Sequence, residues 1–379
     1  MNERAHPVLR IGVDARPLAH RFNGIGVYLT EVLEKMMMNS PHHWFLYSDR
    51  PINLSFDFPK GTDRYTMRAG TNSSRWKSTI FTQINYPKWA KADNLDVFWS
   101  PRHQLPLRMP RSLPTVVTLH DLVFKTHPET MTRGGALLER LLTPASLRKA
   151  HCILTTSETM KKELHRLFPK ITTPAEVAWL ASSVNPESEF DEPDLPLGTR
   201  YALFCGSLEP RKNLARLLKA IVQINAHSPA QPLHLVIITG ASWKSEKERS
   251  LINQHSELFH LRESISERAK AGFLRNAWCL ALPSLQEGFG IPLVEAMKFG
   301  VPIITSKRGA LPEIAGDSAA YVDAESVESI IAGFNKLQNS TSTYQLLSRA
   351  ALERGQLFSW SICAQKTHRI LEAACTVSG

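Results

Sequence analysis

Residues 283–300, PSLQEGFGIPLVEAMKFG, decide the fold. They follow a short apolar run that ends at Leu282 and is typical of a buried strand, and they lead through a glycine-bearing loop into a helical pattern. Pro292 stands where the first helical residue would be, and Gly300 is a typical helix terminator. A strand, a loop and a helix in this order predict one unit of a parallel α/β sheet. The free N–H groups at such a helix start suit a phosphate.

The same alternation extends through the chain and predicts two doubly wound, Rossmann-like domains. The predicted strands are the short apolar runs at 9–13, 44–47, 97–99, 115–119, 152–155, 176–180, 201–205, 233–239, 278–282 and 302–305. The proline- and acid-rich stretch DEPDLPLGT separates the two halves. We therefore expect an N-terminal domain over 1–190, a linker over 191–199 and a C-terminal domain over 200–357. Ligands of such sheets bind beyond the carboxyl ends of the strands, so two domains facing each other would form a central cleft.

Composition excludes several classes of protein. The 379 residues are 43% hydrophobic and 21% charged, as expected for a globular chain. No apolar run approaches the ~18 residues that a membrane span needs. The five cysteines form no CxxC pair, which argues against a disulfide scaffold and a standard zinc site. The opening MNERAHPVLR lacks the apolar core of a signal peptide, so we expect a cytoplasmic protein.

The positive charge is concentrated in the first half of the chain. Residues 1–190 hold 25 Lys/Arg and 17 Asp/Glu, a net charge of +8, whereas the remainder holds 20 and 18, a net charge of +2. This asymmetry favours an anionic partner, which would be nucleic acid, an acidic membrane surface or a phosphorylated substrate. The basic, aromatic stretch 75–91 fits a membrane surface or an ordinary amphipathic helix against its own sheet.

Two glutamates mark the segment that decides the fold. Glu287 lies in the predicted loop and Glu295 in the early helix, eight positions apart. A lone glutamate in a first helical turn commonly complements the helix dipole. Beside a phosphate site, a carboxylate instead suits a pair of ribose hydroxyls, and we assign Glu295 that role.

The pattern Glu287–x7–Glu295 within EGFGIPLVEAM resembles the signature of retaining glycosyltransferases of family four, which have the GT-B fold. The resemblance continues through 300–326, and it includes GSLEPRKNL at 206–214, TLHDL at 118–122, and VDARPL and NGIGVYLTEVL near the N-terminus. The motifs stand in the family's order over nearly the whole chain. The fold that this implies would bring a terminal helix, within 358–379, back to the first domain.

The resemblance implies that the N-terminal domain is the acceptor side and that the C-terminal domain holds a donor site for a nucleotide diphosphate sugar. Glu295 would hold the ribose, and Glu287 would lie near the donor sugar. Four backbone positions would contact the donor through their amides: Phe289, Gly290 and Ile291 at the sugar hydroxyls, and Val294 at the diphosphate.

A basic turn after the strand 201–205 would stabilise the leaving diphosphate. Arg211 and Lys212 lie at this turn, where charge-assisted contacts suit a leaving group that gains negative charge. Many family members carry an arginine directly after the glycine of this motif, where this chain has Ser207. Ser207 is nevertheless included in the donor site, and Arg211 would compensate for the missing charge.

Two features of the first half complete the predicted site. His120 ends the strand 115–119, and the family's histidine at this position contacts donor sugar or phosphate. Gly24 and Gly26 would let the backbone approach the diphosphate closely, because glycine has no side chain to obstruct it. The stretch 259–266 departs from the family pattern and leaves base recognition unassigned.

The sequence thus predicts a metal-independent, retaining hexosyltransferase without a cofactor. Its partners would be a nucleotide diphosphate sugar and a glycan or lipid-linked acceptor of polysaccharide biosynthesis. The protein would also make peripheral contact with an anionic membrane, but would bind no nucleic acid. GDP-mannose is the favoured donor, with UDP-glucose-type donors open. A GT-B nucleotide-sugar epimerase and a basic nucleic-acid-binding protein are the alternatives. A dinucleotide-dependent oxidoreductase is excluded, since no GxGxxG follows the first strand.

Overall fold

The computed structural model describes residues 8–20, 24–54, 56, 64–71, 75–227, 229–240 and 246–376. Contacts divide the chain into two compact units. The first unit runs up to Trp179 and resumes at Trp360, and the second unit is Leu180–Ser359.

The first unit is built on a parallel sheet, whose seven strands within the described residues lie in the order β3-β2-β1-β4-β5-β6-β7. The strands are β1 (Arg10–Asp14), β2 (His43–Ser48), β3 (Tyr65–Ala69), β4 (Val97–Ser100), β5 (Thr115–Leu119), β6 (Cys152–Thr155) and β7 (Ala175–Val177). Its first helices are α1 (Gly24–Met38), α2 (Arg75–Ala92), α3 (Val123–Thr126), α4 (Arg133–Lys149) and α5 (Glu158–Leu167), with 3-10 turns at Arg16–His20 and Pro128–Thr130. β4 and β5 are buried along their whole length, because helices cover both faces of a parallel sheet.

The second unit repeats this plan with the strand order β10-β9-β8-β11-β12-β13, all pairs parallel. Its strands are β8 (Tyr201–Cys205), β9 (His234–Thr239), β10 (Phe259–Glu263), β11 (Cys279–Leu282), β12 (Ile303–Ser306) and β13 (Ala319–Val322). Its helices are α6 (Leu214–His227), α7 (Glu246–Gln254), α8 (Glu267–Asn276), α9 (Ile291–Lys298), α10 (Leu311–Ala315), α11 (Val327–Gln338) and α12 (Thr341–Gly355), with 3-10 turns at Pro210–Lys212 and Gly316–Ser318.

The last helix, α13 (Trp360–Thr376), belongs to the first unit and packs on α1. The acidic stretch 191–199, expected as a linker, lies within the second unit. There the Asp191 carboxylate pairs with Arg268 at 3.2 Å, and Asp194 pairs with Arg262 at 2.9 Å. These contacts hold the stretch against α8 and β10.

The differences of more than one residue from the predicted strands all lie at sheet edges. The sequence did not predict β3, β10 or β13, and β7 ends at Val177 rather than at 180. Each of these four strands has only one neighbour in its sheet. An edge strand such as β3, YTMRA, is partly exposed and therefore lacks the continuous apolar run of a central strand.

The strand order reverses between β1 and β4 in the first sheet and between β8 and β11 in the second. At such a reversal the connecting helices leave the sheet on opposite sides, so the loops at the carboxyl ends border a crevice. In the second unit the bordering segments are 206–212 and 283–290, which contain the predicted donor residues.

No helix in the described part of the chain is both long enough and apolar enough to cross a membrane.

Candidate active site

Backbone and amide hydrogen bonds join the two loops at the carboxyl ends of β8 and β11. The Leu285 N–H donates to the Arg211 carbonyl at 2.8 Å. Asn213 adopts a left-handed backbone, with φ 62°, and its Nδ2 donates to the carbonyls of Pro283 at 2.9 Å and Ala324 at 2.6 Å. Asn213 was not predicted as a site residue, although asparagine is among the residues that tolerate this backbone. It fixes the basic turn against the glutamate loop.

Glu287 is the centre of a buried charge cluster in these loops. Its Oε1 accepts from Lys212 Nζ at 2.6 Å and from the Ser284 hydroxyl at 2.9 Å. Its Oε2 accepts from Arg211 Nη1 at 3.1 Å. Glu287 is 5% exposed and Lys212 is 8% exposed. The structure therefore brings together three predicted residues, Arg211, Lys212 and Glu287, and adds Ser284, which the sequence did not identify.

The charges in this cluster are set by burial and by mutual pairing. Burial opposes ionisation of Glu287, but the positive charges of Lys212 and Arg211 outweigh it and lower the pKa of the carboxyl group. Burial also lowers the pKa of Lys212, and the neighbouring Glu287 opposes that shift. The carboxylate form of Glu287 thus keeps two cations at the carboxyl edge of the sheet, where an arriving diphosphate would compete with Glu287 for them.

Ser207 and Arg211 interact through Glu209. The Ser207 hydroxyl donates to Glu209 Oε1 at 2.7 Å, and Arg211 Nε donates to Glu209 Oε2 at 2.7 Å. Arg211 is held between Glu209 and Glu287, so its guanidinium is fixed at the turn that Ser207 begins. This geometry is compatible with the expected compensation for the missing arginine at position 207, which stays a prediction.

Glu295 lies apart from this cluster, in α9, with a different cation. Lys270 of α8 lies 2.9 Å from Glu295 Oε1 and 3.0 Å from Glu267 Oε2. Burial would lower the pKa of Lys270, but the two carboxylates raise it above its ordinary value. The spacing Glu267–x2–Lys270 indicates a helical pair, but it carries no sign of the third partner, so Lys270 was missed.

Two glycines shape the backbone around the two glutamates. Gly290, with φ 103°, is the N-cap of α9, and no side chain caps the helix there. Gly309, with φ 56°, lies so close to Glu287 that a Cβ would be 2.3 Å from the Glu287 carbonyl oxygen. Phe289, Ile291 and Val294 occupy the loop end and the first turn of α9, so the predicted amide donors share one helix start. Their contacts with a donor stay a prediction.

His120 belongs to the first unit, at the carboxyl end of β5. Its Nε2 lies 2.8 Å from the Pro101 carbonyl oxygen, which can only accept, so Nε2 carries the proton and Nδ1 keeps a lone pair. Burial lowers the pKa of His120 to about 4, and the nearby charge of His103 adds to the effect. At neutral pH His120 is therefore an uncharged hydrogen-bond acceptor, suited to a hydroxyl rather than to a phosphate. Its ring also contacts Tyr28 edge-on, at 4.9 Å between centroids.

A buried His103–Glu139 pair stands beside His120. His103 Nε2 bonds Glu139 Oε2, and the Thr143 hydroxyl donates to the same oxygen at 3.2 Å. Although burial opposes both charges, Glu139 raises the pKa of His103, and His103 lowers the pKa of Glu139 to about 2. The two residues are 36 positions apart, so sequence spacing did not reveal the pair.

The predicted glycines lie in the first turn of α1. Gly24 begins this helix and Gly26 is buried in it. Asn23, the first residue of the NGIGVYLTEVL motif, lies outside the described residues. At the neighbouring end of β1, Arg16 pairs with the buried Asp14 at 2.6 Å.

Within the described residues, one trio of side chains brings three possible metal ligands within 4.8 Å of one another: His42, His368 and Glu372. His42 Nδ1 accepts from the Leu9 N–H at 3.2 Å, so the ring proton is on Nε2, which lies 3.4 Å from Glu372 Oε1. A protonated nitrogen cannot ligate a metal. His42 directly precedes β2, at the amino end of that strand, and His368 and Glu372 lie on α13, whereas His120 lies at the carboxyl end of β5.

Models of two families match the chain in succession. The Glycosyltransferase Family 4 model matches residues 22–187, and the Glycosyl transferases group 1 model matches residues 186–354. The division between them falls near the boundary of the two units at Trp179.

Known relatives extend this similarity. O-antigen chain mannosyltransferase B of Escherichia coli is 28% identical over 289 residues, which are 74% of this chain and 75% of that protein. O-antigen chain mannosyltransferase RfbU of Salmonella typhimurium is 24% identical over 67% of this chain and 69% of that protein. The structure of HepE from Anabaena in complex with UDP and glucose has a TM-score of 0.70 and 16% identity, over 96% of this chain and 99% of that chain. The two models together span residues 22–354, and the chain is therefore a glycosyltransferase of the GT-B fold whose first half matches the family 4 model.

Proposed function

We propose that this chain transfers a mannosyl residue from GDP-mannose to a hydroxyl of a glycan or lipid-linked acceptor in polysaccharide biosynthesis. The transfer retains the anomeric configuration and needs no metal. The enzyme works at the cytoplasmic face of an anionic membrane, without nucleic acid. The observation that carries this proposal is the Lys212–Glu287–Arg211 cluster at the reversal of the second sheet.

The cluster fits the stabilisation of a leaving diphosphate. As the bond from the sugar to the diphosphate breaks, negative charge grows on the phosphate oxygens. Lys212 and Arg211 are already fixed by Glu287, so they need little reorganisation when that charge appears. The uncapped start of α9 adds backbone N–H groups of the same polarity.

Glu287 is poorly suited to act as a nucleophile. Both of its oxygens accept hydrogen bonds, two of them from cations, and its pKa is lowered. A double displacement would need a carboxylate free to form a covalent sugar intermediate. We therefore infer a front-face departure, in which the acceptor enters on the side from which the diphosphate leaves.

Metal independence rests on the residues themselves. The chain contains no Asp-x-Asp triplet to hold a divalent ion on a diphosphate. Lys212 and Arg211 supply positive charge in that place instead.

Glu295 and His120 are each proposed to bind hydroxyl groups of a ligand. Lys270 occupies Oε1 of Glu295, and Oε2 is assigned the ribose hydroxyls. The Nδ1 lone pair of His120 is assigned a hydroxyl of the donor sugar or of the acceptor. The mannosyl donor is inferred from the two O-antigen mannosyltransferases, and UDP-glucose is the competing donor.

A panel of nucleotide sugars tests the proposal. We expect hydrolysis and transfer with GDP-mannose in EDTA to exceed those with UDP-glucose, with a GDP-induced thermal shift larger than that of UDP. Preference for a UDP sugar would overturn the donor assignment. Release of free UDP-sugar epimers without transfer would instead support an epimerase, and a salt-sensitive shift with random DNA alone would support nucleic-acid binding.

A further inference from the structure

Helix α4 presents an outward stripe of leucine and arginine. Leu137 and Leu141 keep 58% and 65% of their surface exposed. Four positions apart, they lie on one side of the helix, and the side chains of Arg133, Arg140 and Arg148 are exposed around them. Large apolar side chains in such a setting are typical of an interaction surface.

This stripe carries no exposed carboxylate. The only acidic residue of α4 is Glu139, which is 5% exposed and bonded to His103 and Thr143 inside the unit. The outward face of α4 therefore has only positive charge.

Helix α2 repeats the pattern. Ile80 and Ile84 are 58% and 45% exposed, and the exposed Lys88 and Lys91 follow on the same side of the helix. The sequence of α2 contains no acidic residue. The basic stretch thus packs against its own sheet through residues such as Tyr86, while its other side combines apolar and basic groups.

The loop 105–113, between β4 and β5, is hydrogen-bonded to both helices. Gln83 of α2 donates to the Leu105 carbonyl at 3.3 Å and accepts from the Leu107 N–H at 2.8 Å. Lys149 of α4 donates to the carbonyls of Leu107 and Met109, both at 2.7 Å. One loop is thus bonded to both helices, and we call the outward sides of these two helices together the α2–α4 surface.

A basic cavity lies at the end of α4 beside this loop. It has a volume of about 460 Å³ and is lined by Leu107, Pro110, Arg111, Lys149 and His151. No carboxylate is among these lining residues. Arg111 and Lys149 bring positive charge to this space, which suits a phosphate.

We propose that the α2–α4 surface docks on a bilayer of anionic phospholipid. The exposed leucines and isoleucines enter the interface, the surrounding cations meet the headgroups, and the cavity receives a lipid phosphate. A nucleic acid would match the charge but not the exposed apolar side chains. This inference rests on the proposed function only in linking the surface to a lipid-borne acceptor.

The test is co-sedimentation with vesicles of phosphatidylcholine containing phosphatidylglycerol, and with vesicles of phosphatidylcholine alone. The double variant L137S/L141S should partition at least about tenfold more weakly, because two apolar side chains are removed from the interface. The double variant R133Q/R148Q should lose about fivefold in affinity for the anionic vesicles per removed charge at low salt, and little at high salt. The matched control is Leu346→Ser, which removes a leucine 67% exposed on α12 of the second unit and should bind as the unaltered protein does.

The proposed docking of the α2–α4 surface would be overturned by unchanged vesicle binding of L137S/L141S or by equal binding to both kinds of vesicle. An equal loss of vesicle binding in Leu346→Ser would overturn it as well. So would DNA binding or self-association that the same variants abolish without any vesicle binding. Hydrolysis of the soluble donor is measured in parallel. Vesicle binding by a protein that hydrolyses no nucleotide sugar would sustain the surface and reject the proposed function alone.

Discussion

The carboxyl edges of the two sheets are built from the same topology but hold different chemistry. In the second unit, Glu287 and Glu295 are each paired with cations, and two positive charges meet at one carboxylate. In the first unit, Asp14–Arg16 and His103–Glu139 pair internally, and His120 is left uncharged. The second edge suits an anion and the first suits neutral hydroxyl groups. Under the proposed function, we therefore expect the diphosphate at the second unit and the hydroxyl-bearing partner of His120 at the first.

Lys212→Met should have the largest effect, because it removes the cation closest to Glu287. Loss of one preorganised group at a developing charge lowers turnover on the order of 10²- to 10³-fold. Binding of the nucleoside diphosphate should weaken less, since the charge is greatest during bond cleavage. Steady-state kinetics and calorimetry measure the two effects, with Lys219→Met on α6 as the exposed control. Equal losses in binding and turnover would show that Lys212 only anchors the donor.

Glu295→Ala should weaken nucleotide binding by on the order of 10- to 100-fold, because a charged acceptor of hydrogen bonds is lost. Lys270→Met should have a smaller effect of the same kind, since it frees Glu295 Oε1 without removing the carboxylate. Titration calorimetry with GDP checks both, after circular dichroism has shown that the variants fold. Unaltered affinity in a folded Glu295→Ala would reject the ribose assignment.

Glu209→Gln should lower turnover only about fivefold, the worth of roughly one hydrogen bond of about 1 kcal/mol. Glu209 pairs with Arg211 Nε and Glu287 pairs with Nη1, so the loss of Glu209 loosens the guanidinium without removing it. The same assay, with Ser207→Ala as a companion, measures this. A loss as large as that of Lys212→Met would place Glu209 itself in the chemistry.

The smallest effect is expected from pH. His120 has a pKa of about 4, below its ordinary value of 6.5, so it stays neutral as pH falls from 8 to 5. It therefore adds no inflection to kcat/KM in that window, and protonation becomes important only as pH approaches 4. The pH profile and the ring nitrogen shifts of His120 test this. An inflection near 6.5 that His120→Asn abolishes would show a titrating histidine.

The sequence predicts those parts of the fold that are buried on all sides. β5, TVVTL, lies inside its sheet with all five residues buried, and the prediction gave its bounds correctly. β10, FHLRE, lies at an edge with only Phe259 buried, so its polar residues concealed it. A strand's apolar pattern reports burial rather than strand structure itself.

The site follows a similar rule. Glu287, Lys212 and Arg211 stand in motifs and were identified as such, but Lys270 and His103 act through partners 25 and 36 positions away. Such pairs depend on which helices the tertiary structure brings together. The same holds for the uncharged state of His120, which depends on burial and on the Pro101 carbonyl.

The most direct test of metal-free leaving-group stabilisation is proton NMR of the product formed from α-linked GDP-mannose in EDTA. The Lys212–Glu287–Arg211 cluster predicts an α-linked product at full rate, because its cations stabilise the diphosphate and Glu287, paired with both of them, is not free to attack the sugar. A β-linked product, or activity that EDTA abolishes and manganese restores, would contradict it.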